Sequence, residues 1–121
     1  MMYREPSDSP WGLVVRCDTL CPGVYSVSTA GHGGIMAQID AARLLLSPEA
    51  QAVGFQAGGY LNFEEDCDAP VVLRELMDSG IIAPRTDNYF RPGEYEACID
   101  RSLQHWNPAY WQARQERLSV R

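Results

Sequence analysis

The sequence predicts an α+β domain: a small antiparallel sheet of about three strands, helices packed on one face, and a helical C-terminal third. Three observations carry this. Two β-branched and aromatic stretches near the N-terminus flank a run of turn residues, a third alternating stretch follows at 60–64, and from Ala69 onward apolar residues recur at helical spacing.

Met1 to Pro10 has no apolar run that could act as a signal peptide, so residues 1–10 are expected as a flexible, solvated tail and residues 11–121 as a single domain. Trp11 to Cys17 and Val24 to Thr29 then read as a hairpin around the turn residues 18–23. In its second strand Val24 and Ser26 face one way while Tyr25, Val27 and Thr29 face the other. Gly31-His32-Gly33-Gly34 reads as a backbone-permissive loop. Asp40 is the expected cap of a helix over 41–46, and Ser47-Pro48 restarts it, with Leu44, Leu45 and Val53 packing inward. The third strand, 60–64, leads into a helix from Ala69 to Asp78, with Asp68 as its cap, Pro70 in its first turn and Gly80 past its end. Tyr95, Ile99, Leu103 and Trp106 mark a further helix, and Asn107-Pro108 opens a last one over about 109–118. The aromatic residues Trp106, Tyr110 and Trp111 are expected to clamp the corner between those two helices as core.

The 121 residues are 45% hydrophobic and carry a formal charge of −6, with 16 acids against ten basic residues. All ten are arginine. A general nucleic-acid coat is excluded on charge, because phosphate neutralisation needs clustered cations. Disorder is excluded by the supply of core-forming side chains. No apolar stretch is long enough to cross a bilayer, and a cytoplasmic protein with its four cysteines reduced is expected. Charge is unevenly placed: residues 1–60 are net −2, residues 61–100 net −7 and residues 101–121 net +3. Some of those acids sit where helix N-termini favour them, which explains position but not the excess.

His32 is the most suggestive single residue, an unobstructed imidazole in a glycine loop at a strand exit. As a general base it needs a carboxylate to orient one ring nitrogen, and Glu64, Glu65 or Asp66 at the end of the third strand are the candidates. It serves equally well as a side chain that holds the glycine turn in place. The glycines lack the G-x-G-x-x-G and Walker patterns and no lysine is present, so a nucleotide pocket is not expected. Cys17 and Cys21 have no second ligand pair for structural zinc, and no metal site or cofactor is assigned. Cys67 stands among acids that disfavour its thiolate.

The combination Val-Ser-Thr-Ala-Gly-His-Gly-Gly at 27–34, Glu-Glu-Asp-Cys-Asp at 64–68 and Trp-x-Pro-x-Tyr-Trp at 106–111 resembles a family of small uncharacterised domains encoded on bacterial plasmids, integrative elements and prophages. The resemblance runs from about Trp11 to Trp111. It implies a mobile-element origin and no particular reaction, and small acidic proteins of such elements look like inhibitors of host defence, for instance anti-CRISPR or antirestriction proteins.

Two functions follow. In the first, the protein is a non-enzymatic inhibitor whose acids Glu64, Glu65, Asp66, Asp68, Asp78, Glu94, Glu96 and Asp100 form a face for a basic surface of a host protein or nucleoprotein complex, without direct contact to nucleic acid or membrane. In the second, it is a small metal- or His-dependent hydrolase of a phosphodiester or nucleotide, with His32 and Glu65 as catalytic residues.

Overall fold

A computed structural model describes residues 3–120. Met1 and Met2 of the expected tail and Arg121 of the basic C-terminus lie outside the described residues. The chain is α+β, with a five-stranded antiparallel sheet, a two-stranded one and five helices among the described residues. In chain order the elements are β1 Asp8–Ser9, β2 Gly12–Leu13, β3 Arg16–Cys21, β4 Val24–Ser28, β5 Gly33–Gln38, α1 Ile39–Leu45, α2 Pro48–Gln51, β6 Phe55–Ala57, β7 Tyr60–Glu64, α3 Ala69–Asp78, α4 Glu94–Trp106 and α5 Pro108–Ser119. The large sheet has the order β3-β4-β5-β7-β6, every pair antiparallel.

The sheet is therefore larger than the three strands expected. The hairpin β3–β4 turns at Pro22-Gly23 alone, with Gly23 at φ +87°, and residues 18–21 continue the strand instead of turning. The expected strand over 11–17 divides, its first part pairing with β1. Gly33 and Gly34 do not belong to a loop: they open β5, which runs through the centre of the sheet and is almost wholly buried. β6 completes the edge beyond β7.

Alternation gives the sheet two covered faces. On one, Val24, Ile35, Ala37 and Phe63 pack with Ala42, Val72, Leu76, Ile99, Leu103 and Tyr110 from the helices, the main core. On the other, Tyr25, Val27 and Met36 pack under Tyr3, Trp11 and Val14. The N-terminal residues expected as a tail thus lie across this second face, where the Tyr3 hydroxyl donates to Asp40 at 3.2 Å and the Thr19 hydroxyl to Glu5 at 3.0 Å.

Helix starts follow local chemistry. Ser47 caps α2 by accepting from the Ala50 N–H, with Pro48 at the first helical position. Asp40 lies inside α1, which begins at Ile39, so it accepts from Tyr3 and Ala41 instead of capping. Leu44, expected inward, is 82% exposed on the outer side of α1, whereas Leu45 and Val53 pack against the core. α3 ends at Asp78, and Gly80 just past its Ser79 cap has a φ of +72°, the left-handed conformation glycine supplies. In the α4–α5 corner Tyr110 is buried, but Trp106, expected as core, is 55% exposed.

Candidate functional site

The pairing of β5 with β7 builds the site. Gly34 lies opposite Glu64, so the residue entering β5, His32, comes beside the residue leaving β7, Glu65. The Glu65 N–H donates to the Gly33 carbonyl at 3.2 Å and continues the ladder into the loop. On the other side the Thr29 N–H and hydroxyl donate to the His32 carbonyl at 2.7 and 2.8 Å, closing the four-residue tip between β4 and β5. The imidazole then stands between two carboxylates, Nδ1 at 3.5 Å from Glu65 Oε1 and Nε2 at 3.9 Å from Glu64 Oε2. These are ion-pair separations, longer than hydrogen bonds.

Glycine is required twice here. A Cβ on Gly34 would run into the Phe63 carbonyl and into the indole of Trp11, and one on Gly33 would lie 2.5 Å from the Val27 carbonyl and 2.9 Å from Glu65 Oε2. Their bare backbones let the Trp11 indole come close to the sheet and let the Glu65 carboxylate approach. Trp11 in turn meets His32 edge-on, ring centroids 6.0 Å apart. The side chains of His32, Glu64 and Glu65 retain 36%, 47% and 45% exposure, so this is an open surface site. His32, Glu65 and Asp66 also hold ligand-type atoms all within 4.8 Å of one another, an arrangement able to take a divalent cation.

The eight acids expected to share a face have different fates. Asp78, Glu96 and Asp100 converge on the buried Arg74, which reaches them at 3.1, 2.7 and 2.9 Å. Asp78 also accepts from Arg114 at 2.8 Å. Burial raises the Asp78 pKa, but hydrogen bonds from Arg114 and the Arg74 charge outweigh it and hold the carboxyl below its ordinary value. Glu94 accepts from the Arg91 N–H at the start of α4. Asp68 precedes α3 without capping it; its Oδ1 accepts from Asn107 at 3.2 Å. Glu64, Glu65 and Asp66 have no arginine partner among the described residues.

Asn107 is a contributor that spacing did not reveal. Its amide donates to the Cys67 carbonyl at 2.8 Å as well as to Asp68, tying the α4–α5 corner to the acidic loop. Burial, then the Asp68 and Glu64 charges, push the Cys67 thiol up, so it is a poor nucleophile. Trp11 was another such contributor, since nothing in its neighbours points to His32. Arg74 had a weak signal, an arginine in the apolar repeat of α3 with Asp78 one turn on.

The profile of a family described as a domain of unknown function, DUF7007, matches residues 4–120. No curated protein and no solved structure matches the chain. No described helix is long and apolar enough to cross a membrane.

Proposed function

The chain belongs to the family of domains of unknown function DUF7007, and we propose that it acts as a non-enzymatic binding protein whose acidic loop, Glu64, Glu65 and Asp66, receives a basic surface of a nucleic-acid-binding partner. One observation supports this reading above the others. Of the acids in the negative middle of the chain, Asp78, Glu96 and Asp100 are compensated by Arg74 and Arg114 and Glu75 by Arg117, while these three have no arginine partner among the described residues and stand at the surface beside His32. Surface carboxylates without an arginine partner, on a braced loop, steer a cationic partner and lose little by meeting it. The finer form of the reading is a cytoplasmic inhibitor of a host defence complex, of the anti-CRISPR kind, carried by a mobile element. It rests on the motif resemblance together with this loop.

Affinity capture from a bacterial lysate, with the wild type and the Glu64→Gln/Glu65→Gln/Asp66→Asn variant side by side, tests it. A nucleic-acid-binding complex retained by the wild type at low salt, released at high salt and missing from the variant supports the reading. Identical eluates from both proteins refute it.

A second reading has its own observation, the grouping of His32, Glu65 and Asp66 ligand atoms. Under it His32 is a metal ligand or general base and Glu65 its partner, in a small hydrolase of a phosphodiester or nucleotide. Mn²⁺ titration followed at the His32 ring resonances, with an activated phosphodiester as substrate, separates the two. Turnover that His32→Ala abolishes at unchanged melting temperature would establish the enzyme.

A further inference from the structure

We propose that the cleft between the β3 edge of the sheet and the start of α4 binds a short apolar peptide with free termini, of dipeptide size, its carboxylate at Arg85 and its ammonium at Asp18 and Glu65. The inference goes beyond the acidic-loop reading and does not depend on it. Strand register sets the floor. Asp18 pairs with Ser26 and Ser26 with Ile35, so the three form one row on the helix-bearing face, apolar at Ile35 and polar towards the sheet edge. Beside that row α3 brings Ala69 and Leu73, and β3 brings Leu20. The space they border is about 410 Å³, within the range of small-ligand sites.

Both signs of charge line this cleft without meeting. Among the described residues Arg85 forms no ion pair with Asp18 or Glu65: it pairs with Asp87, Asp18 pairs with Arg16, and Glu65 stands beside His32. Opposite charges that border one space beyond ion-pair distance are completed by a ligand carrying both charges itself. Arg85 is also held ready. Its Nε and Nη2 donate to Asp87 Oδ2 at 3.3 and 2.9 Å, and its guanidinium carbon lies 5.1 Å from the Phe90 ring centroid and 6.0 Å from that of Tyr95, itself a wall of the cleft. Nη1 takes no part in those bonds and is left for a carboxylate. An apolar dipeptide carries a carboxylate, aliphatic side chains and an ammonium, which match Arg85, the floor of Leu20, Ile35, Ala69 and Leu73, and the two acids. A phosphate ligand would meet Asp18 and Glu65 with like charge.

NMR titration of the isotope-labelled protein with the dipeptide Leu-Leu is the test, beside its C-terminally amidated and N-acetylated forms and Gly-Gly, which lacks apolar side chains. Leu-Leu is expected to shift the amides of Ser26, Gly34, Ala69 and Arg85 saturably and to bind roughly three- to tenfold more tightly than either blocked form, with Gly-Gly weaker still. Arg85→Gln should erase the preference over the amide and keep the preference over the acetylated form. Asp18→Asn/Glu65→Gln should do the reverse. Melting temperatures check the fold of each variant, and the blocked peptides on the wild type decide the matter where a variant does not fold. No saturable shift at millimolar Leu-Leu, shifts confined to residues outside the cleft, or equal affinities for the free and blocked peptides overturn the proposal. The acidic-loop reading survives each of those results, because it is tested on the captured partner with the Glu64→Gln/Glu65→Gln/Asp66→Asn variant.

Discussion

His32 Nδ1 stands 3.5 Å from Glu65 Oε1 because Gly34 pairs with Glu64 across β5 and β7. The contact is a product of strand register, so whatever disturbs the start of β5 disturbs the site. Gly34→Ala is the sharpest perturbation, since its methyl group meets the Phe63 carbonyl and the Trp11 indole. The variant should lose about 1–3 kcal/mol in urea unfolding. Displacing Trp11 should also move the tryptophan emission to longer wavelength.

Arg74 is 5% exposed and bound to three carboxylates on α3 and α4. Arg74→Met would leave Asp78, Glu96 and Asp100 facing one another without their shared cation. A loss of about 3–5 kcal/mol in chemical denaturation is expected, as for removing one partner of a buried ion pair.

Acid stability should report Asp78. Its folded pKa lies below the ordinary 3.8, so it contributes stability that is present above the unfolded value and lost as pH falls through the folded one. Asp78→Asn, neutral at every pH, removes that contribution. The stability gap between wild type and variant should be constant at neutral pH and narrow below about pH 3.8, measured by denaturant unfolding across an acid series.

Leu44 and Leu103 make a paired test of which helical faces are buried. Leu103 is fully buried and Leu44 is 82% exposed. Leu103→Ala should cost about 2–5 kcal/mol, and Leu44→Gln should stay within about 0.5 kcal/mol.

Period-two alternation identified β4 and β7, apolar spacing identified α3 and α4, and Ser47-Pro48 and Asn107-Pro108 marked the starts of α2 and α5. β5 was hidden because Gly33 and Gly34 are there for close approach by Trp11 and Glu65, contacts from distant parts of the chain, and glycine read locally signals a loop. β6 is three exposed residues, too short for any period. The misplacement of Leu44 and Trp106 has a common origin: apolar identity at near-helical spacing does not say on which side a short helix or a helix corner meets the sheet. At the site, the partnership of His32 with Glu64, Glu65 and Asp66 was legible from a loop and a strand end of complementary chemistry. The division of the acids was not, because the cation that neutralises Glu96 and Asp100 sits 22 and 26 positions away on another helix.

The most direct measurement is the association rate between the protein and the partner recovered by capture, over a salt series, for the wild type and for Glu64→Gln/Glu65→Gln/Asp66→Asn. The account predicts a wild-type rate that falls steeply with salt, a variant rate lower by about tenfold or more at low salt, and nearly unchanged dissociation. An association rate insensitive to salt and equal in the two proteins would contradict it.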